Sequence, residues 1–166
     1  NMYRDIEILS YSGGKIHIPY VTTSKGVDLI REAKKNNLDI TASVSLAHIT
    51  FSEKDIPEFD TNYKLIPPLR SESDLNSLKE GLVDGTLDYL TSMHEPFDVD
   101  NKKIVFDNAS SGSIGLESMF GLMSNQFTLE KTIDILTRKK IIFEVDDHPI
   151  EIGSLADLSL FNPDKN

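Results

Sequence analysis

The chain has 166 residues, of which 39% are hydrophobic and 27% are charged, proportions typical of a soluble globular domain. Its formal net charge of −10 argues against binding to a nucleic-acid backbone or an anionic membrane surface, because both need a surplus of Lys and Arg. No apolar run is long enough for a membrane span, no signal-peptide pattern opens the chain, and the absence of Cys excludes disulfides and thiolate metal sites. These properties favour a cytoplasmic protein.

Hydrophobic periodicity predicts helices and strands that alternate along the chain. In the helix predicted at 71–82, Leu75, Leu78 and Leu82 share one face, and Ser71 or Ser73 can cap the first turn. Alternation at this spacing predicts βαβ units around a parallel sheet, and therefore an α/β fold. In chain order the predicted elements are a helix at 3–12, a strand at 15–21, a helix at 23–36, strands at 39–45 and 63–66, a helix at 71–82, a strand at 86–92, helices at 117–123 and 129–137, and strands at 141–145 and 156–161.

Three closely spaced motifs carry most of the information in this sequence. They are YKLIPPLR at 63–70, DGTLDYLTSMHEPF at 84–97 and FDNASSGSIGLE at 106–117. Together they resemble the last third of a dihydroorotase. That family belongs to the amidohydrolase superfamily and uses metal ions to open or close the ring of dihydroorotate. The resemblance covers nearly the whole of this chain but only the C-terminal half of the family.

The resemblance implies a particular part of a known fold. The predicted strands at 15–21, 39–45, 63–66 and 86–92 match strands five to eight of a TIM-type (βα)8 barrel. Residues 1–138 would then form half of a metal-dependent hydrolase barrel. Residues 139–166 resemble the C-terminal segment of the small β-domain beside it, including a returning strand.

The metal positions of the family fall on residues that differ in chemistry. Family ligands on strands five, six and eight are a His, a His and an Asp, and these positions hold Tyr20, His48 and Met93. A lone imidazole does not hold a catalytic metal, and a thioether is a poor ligand for a hard ion. His48 is therefore either a relic metal position or, the favoured alternative, a hydrogen-bonded histidine at a strand end. No cofactor is expected in this chain, although the family uses zinc.

Positions that contact the substrate in the family also hold different residues here. Ile66 stands where the family has an Asn, and Phe97 stands where it has a substrate-contacting His. Asn108, Ala109 and Gly112 keep their family positions and are the candidate substrate-binding residues. No catalytic residue is assigned, because Met93 holds the position of the family's catalytic Asp.

Other side chains offer chemistry near these positions. His17 precedes Tyr20 on the same predicted strand and is either a displaced ligand or a histidine packed between strand and helix; the alternation of strand side chains favours packing. His94 is a candidate general base, Glu95 a candidate replacement carboxylate, and Arg70 a candidate anion contact or surface salt bridge.

The resemblance and the changed ligand positions together imply a function. We expect a dihydroorotase-like protein of the pyrimidine-biosynthesis family that is catalytically inactive and has a structural or assembly role, since inactive relatives scaffold aspartate transcarbamoylase. The alternative is an active cyclic amidohydrolase whose metal ligands are completed by the N-terminal half of the same protein.

Four strands cannot close a barrel, so the sequence also predicts assembly. The strands at 15–21 and 86–92 would be open edges, and an apolar inner face would be exposed. Expected partners are a second copy or the protein's own N-terminal half, with aspartate transcarbamoylase as a further candidate and neither nucleic acid nor membrane. The predicted inner face consists of Ile18, Tyr20, Val44, Leu65, Leu90 and Met93.

Overall fold

The structure, a computed structural model, describes residues 1–138, 148, 150–156 and 158–162. Short 3₁₀ turns join the longer elements at Glu53–Asp55, Thr61–Tyr63 and Phe106–Asn108. No helix within the described ranges is long and apolar enough to cross a membrane. The helices and strands in chain order are α1 (Met2–Ser12), β1 (Ile16–Ile18), α2 (Ser24–Lys35), β2 (Ile40–Ser45), α3 (Leu46–Thr50), α4 (Glu72–Val83), β3 (Tyr89–Thr91), α5 (Val99–Lys102), α6 (Met119–Ser124) and α7 (Leu129–Thr137).

The three strands form one parallel sheet in the order β1-β2-β3. His17 of β1 pairs with Thr41 of β2, and Ser43 of β2 pairs with Tyr89 of β3. Helix α2 connects β1 to β2 and helix α4 precedes β3, which is the βαβ arrangement expected of a parallel sheet. The predicted α/β class with a parallel sheet is confirmed.

Capping side chains place the helix starts where the sequence predicted them. Thr23 Oγ1 accepts the N–H of Gly26 at 3.1 Å and begins α2, and Ser71 Oγ accepts the N–H of Asp74 at 3.2 Å and begins α4. Each bond satisfies one of the amides that a first helical turn leaves unpaired. Helix α7 matches its predicted bounds, whereas β1 and β3 are shorter than predicted.

The predicted strand at 63–66 is wrong. Tyr63 ends a 3₁₀ turn, and the residues that follow it lie outside the sheet, so β2 pairs directly with β3. Pro67 and Pro68 cannot donate ladder hydrogen bonds, and the carbonyl of Lys64 accepts the N–H of Gly112 at 2.9 Å instead of bonding to a strand.

Two further predicted strands lie near the C-terminus. The strand at 141–145 falls outside the described residues. The described residues of the strand predicted at 156–161 form no strand. Leu160 there is fully exposed and packs on no partner strand within the described part of the chain, so apolar composition alone does not create a strand.

One face of the sheet carries the hydrophobic core. Ile40, Ala42 and Val44 of β2 are all at most 4% exposed. They pack in one cluster with residues of α2 and α4, among them Val27, Ile30, Leu78 and Leu82. This face follows the period-two alternation of a strand whose even-numbered side chains point towards the helices.

The opposite face of the sheet is polar, which corrects the prediction of an apolar inner face. Val44 and Leu90 pair across the two strands on the helix-covered side and belong to the buried core, together with the half-buried Ile18. The predicted face was shifted by one residue, and such a shift moves every side chain to the other side of a strand. The residues that form the polar face are His17, Thr41, Ser43, Ser45, Tyr89 and Thr91.

Candidate functional site

The three positions that correspond to metal ligands lie at one edge of the sheet. Tyr20 follows β1, His48 follows β2 within α3, and Met93 follows β3. Because the carboxyl ends of parallel strands meet at a common edge, this is where barrel enzymes place their active sites. The structure therefore brings Tyr20, His48 and Met93 to the carboxyl ends of the three strands.

Tyr20 and Met93 share an unusual backbone conformation. Their φ angles are 51° and 47°, in the left-handed region that side-chain-bearing residues rarely adopt. Residues held in sparsely populated regions cost roughly 1–3 kcal/mol each and cluster at functional sites. The backbone next to Tyr20 is held because the N–H of Val21 donates to the carbonyl of Ser43 at 2.8 Å. The backbone at these two strand ends is thus strained, as at many functional sites. The side chains there, a phenol and a thioether, are not those of a metal hydrolase.

His48 is buried, and both of its ring nitrogens are hydrogen-bonded. Only 2% of the residue is exposed. Nε2 lies 3.0 Å from the carbonyl of Pro67, which can only accept, so Nε2 carries the proton and donates. Nδ1 then accepts the hydroxyl proton of Ser45, whose Oγ is 2.6 Å away. The lone pair that a metal would need is already engaged.

Burial also disfavours the charged form of the His48 imidazole. It lowers the pKa of His48 below the usual value of 6.5, and the positive charge of Arg70 adds to the effect. The carbonyls of Pro67 and Pro68 oppose it by accepting hydrogen bonds. The neutral ring agrees with the favoured sequence interpretation of His48 as a hydrogen-bonded histidine at a strand end.

His17 lies on the polar face of the sheet, so its predicted position between strand and helix is wrong. Its ring stacks on that of Tyr89, with centroids 5.2 Å apart and planes inclined by 11°. Nδ1 is 2.9 Å from Thr41 Oγ1, and Nε2 lies within 3.2 Å of both Ser43 Oγ and Tyr89 Oη. The two rings reach across β2 and bury Ser43 to 1% exposure. Burial lowers the pKa of His17, and Asp88 opposes that shift.

Two lysines to which the sequence assigns no role organise the long loop after β3. The ammonium of Lys102 donates to the carbonyls of Thr61, Ser110 and Gly112 at 3.0, 2.9 and 2.7 Å. Lys64 Nζ donates to the carbonyls of residues 106 and 107 at 2.7 and 2.9 Å. Burial, with a smaller contribution from Lys64, lowers the pKa of Lys102. Lys64 lies in the motif at 63–70, but the local sequence predicts neither set of partners, because these are backbone carbonyls brought close only by the fold.

The candidate substrate-binding residues occupy three different environments. Ala109 is 5% exposed and buried in the loop. Asn108 ends a 3₁₀ turn at the surface. Gly112 has a φ of 156°, and a Cβ there would lie 2.6 Å from the carbonyl of Glu95 and 2.7 Å from the ring of Phe97. Gly112 is therefore required by packing.

His94 is part of the loop framework. Its Nδ1 accepts the N–H groups of Gly115 and Leu116, both at 3.3 Å. A nitrogen that holds two amides in this way is not available as a general base. Glu95 and Arg70 are exposed.

The residues at this edge do not fit a catalytic zinc ion. Tyr20 and Met93 supply a phenol and a thioether, and His48 has both nitrogens engaged. Nowhere in the described ranges do three or more His, Cys, Asp or Glu side chains come together in a group that could hold a metal. Catalytic zinc sites use three protein ligands.

Solved structures define the class of fold. L-Hydantoinase (dihydropyrimidinase) from Arthrobacter aurescens matches 93% of this chain and 37% of its own length with a TM-score of 0.79 and 22% identity. Dihydroorotase from Saccharomyces cerevisiae, solved with 5-fluoroorotic acid, matches 87% of this chain and 42% of its own length with a TM-score of 0.71 and 17% identity. The chain thus shares its fold with about two fifths of each of these two proteins.

Sequence comparison narrows the class to a family. No protein-family model matches the chain. The dihydroorotase of Caldanaerobacter subterraneus subsp. tengcongensis is 36% identical in an alignment 169 positions long, which covers 96% of this chain and 38% of the relative. The dihydroorotase of Listeria innocua is 34% identical over 98% of this chain and 40% of the relative. The chain is thus related to the dihydroorotases along nearly its whole length, and the resemblance carried by the motifs is confirmed. It spans about two fifths of the length of these curated relatives.

We expect the buried neutral His48 to make stability depend on pH. Because its pKa is lowered in the folded chain, the unfolded chain takes up the proton first as the pH falls below about 6.5. The stability contribution of the neutral ring is therefore present above that pH and is lost as the pH falls through the folded pKa. Urea midpoints at pH 8 and pH 5.5 (both roughly a unit or more from the reference value) should differ less in His48→Gln than in the wild type.

His17→Gln is the matched comparison for this experiment. Partial burial of the ring lowers the pKa of His17 too, but the residue as a whole is exposed, whereas His48 is 2% exposed. We expect His17→Gln to reduce the pH dependence less than His48→Gln does. An unchanged difference between the two pH values in His48→Gln would contradict the assignment of a buried neutral imidazole.

Proposed function

We propose that this chain is a dihydroorotase-like segment with a structural or assembly role, and that it is not itself a catalyst. The observation that carries this proposal is the chemistry at the three strand ends. Tyr20 cannot replace a metal-binding imidazole, and Met93 cannot replace a carboxylate that transfers protons. The lone pair of His48 Nδ1 already accepts a hydrogen bond from Ser45. A metal-dependent hydrolase needs an ion that acidifies water and polarises the scissile bond.

We further propose that the segment corresponds to the C-terminal half of a (βα)8 barrel. Two features support this placement. The motifs follow the order that they have in the last third of the family, and the sheet is helix-covered on one face and polar on the other. In a barrel the second face points inward. Residues 1–138 would then be the half-barrel, and residues 139–166 would belong to the adjoining β-domain.

The alternative function is an active cyclic amidohydrolase completed by a further part of the same protein. One observation favours it. The left-handed backbone at Tyr20 and Met93 is the kind of strain that active sites retain, even though the side chains have changed. In that case the zinc would be bound mainly by residues outside this segment, and the substrate would be a cyclic amide.

Turnover of dihydroorotate separates the two functions. We expect the isolated chain to show no ring opening or closure with or without added zinc. The double variant Tyr20→His with Met93→Asp should also be inactive, because the resemblance places the family's other metal ligands in the N-terminal half, outside this segment. Ultraviolet absorbance assays on metal-loaded and chelator-treated protein provide the measurement. A ring-opening rate from the wild-type chain that disappears with chelator would contradict the proposal.

We propose that the segment acts through assembly at its open sheet. Within the described residues the sheet has two edge strands, β1 and β3, whose outer N–H and C=O groups have no strand beside them. Edges of this kind are normally covered in stable proteins. A second copy or the N-terminal half of the same protein suits this geometry, with aspartate transcarbamoylase as a further candidate.

The oligomeric state tests this assembly directly. We expect multi-angle light scattering to give a mass above that of the monomer. Tyr20→Glu should shift the chain towards the monomer, because it adds a charge beside β1 in a chain that already carries −10. Tyr11→Glu is the matched control, since Tyr11 lies on α1 and is 96% exposed. A monodisperse wild-type monomer with a fully folded circular dichroism spectrum would show that the sheet needs no partner.

A further inference from the structure

A cavity of about 600 Å³ lies beside the strand-end edge. Its walls come from α3, from the turn Thr61–Tyr63 and from the loop that follows β3. Tyr20, His48 and Met93 are not among its lining residues. Small-molecule sites in proteins have volumes of roughly 300–1,000 Å³. The cavity therefore has the size of a ligand site and is separate from the three metal-ligand positions.

The walls of this cavity are held in place by specific bonds. Lys102 joins Thr61 on one side to Ser110 and Gly112 on the other through three hydrogen bonds. Phe51 and Tyr63 pack edge to face with centroids 5.3 Å apart. A space closed by such contacts is pre-formed, which reduces the entropy that a ligand must overcome on binding.

The lining is apolar at depth and at the mouth. Leu46, Leu65 and Leu69 are between 2% and 6% exposed and form the inner wall. Phe97 and Ile114 are 40% and 70% exposed and stand at the opening. A lining of this kind favours an apolar or aromatic ligand.

The charged groups around the cavity do not favour an anion. The carboxylates of Asp60 and Glu95 balance the ammonium groups of Lys102 and Lys103. The ammonium of Lys102 donates to three carbonyls, so its hydrogen bonds are committed to the loop. The protein as a whole carries a net charge of −10, which repels anions. The side chains of Asn62 and Ser92 can provide a few hydrogen bonds to a neutral ligand.

We infer that this cavity is a binding site for a neutral, largely apolar molecule of one or two fused rings. The inference goes beyond the proposed function. The lining includes Phe97 and Gly112, two substrate-binding positions of the resemblance, but none of the three metal-ligand positions, so a ligand there needs no metal. The expected ligand is therefore not a carboxylate. A carboxylate would need a buried cation with free hydrogen bonds, and Lys102 already donates to three carbonyls.

Indole is a suitable probe for this site. The chain contains no Trp, so indole emission can be excited with little background from the protein. We expect the emission to shift to shorter wavelength and to saturate as protein is added, because the ring leaves water for an apolar wall. Tryptamine and indole-3-acetate carry the same ring with a positive or a negative charge. We expect both to bind more weakly than indole.

Filling the cavity tests the location. Ala47 is half-buried on α3 and lines the cavity, so Ala47→Leu should weaken indole binding by about tenfold or more. Ser113→Leu fills the cavity from the loop that follows β3 and should have the same effect. Asn76→Leu, at an exposed position of α4, adds the same side chain elsewhere and should leave binding unchanged. Circular dichroism confirms that each variant is folded.

Three results would overturn the inference. The first is an absence of saturable change in indole emission with wild-type protein. The second is wild-type affinity in both cavity-filling variants, which would locate the bound ring elsewhere. The third is tighter binding of indole-3-acetate than of indole, which would assign the site to an anion. None of these outcomes bears on dihydroorotate turnover, so the two proposals fail or succeed separately.

Discussion

Strand β2 contributes alternate side chains to two different environments, and the remaining structure is arranged around that alternation. Ile40, Ala42 and Val44 enter the apolar core formed with α2 and α4. Thr41 and Ser43 face the other way and bind His17 by hydrogen bonds. Because the strand is central and parallel to both neighbours, its register also places Tyr89 against His17. A shift of one residue in β2 would move the apolar side chains onto the polar face and the hydroxyls into the apolar core.

The same strand determines the chemistry at its end. Ser45 completes the polar series, caps α3 and donates its hydroxyl proton to Nδ1 of His48. Nε2 of that ring reaches the carbonyl of Pro67, so His48 connects the strand end to the Pro67-Pro68 segment. In this role the imidazole is a neutral structural link. Burial at 2% exposure disfavours the charged ring, protonation of Nδ1 would break the hydrogen bond that Ser45 donates, and a metal would displace one of the two bonds.

Much of the fold was predictable because its signals are local. Helical period and a capping Ser71 located α4, and the motifs at 63–70, 84–97 and 106–117 identified the dihydroorotase relationship. What failed depends on contacts that are distant in sequence. The strand predicted at 63–66 does not form, because the Lys64 carbonyl bonds to Gly112. The face of β2 was assigned with the wrong parity, and the error placed His17 among the helices. The carbonyls bound by Lys64 and Lys102 have no sequence signature.

At the strand ends the backbone has a conformation typical of functional sites, but the side chains lack the chemistry of a zinc hydrolase. Tyr20 and Met93 keep a left-handed backbone, while neither side chain offers the donor that a zinc hydrolase requires. Zinc stoichiometry of the untagged wild-type chain, measured by elemental analysis beside His48→Gln after identical loading and desalting, tests this account most directly. The account predicts no stoichiometric zinc and no difference between the two proteins. Stoichiometric zinc in the wild type that is lost in His48→Gln would contradict it.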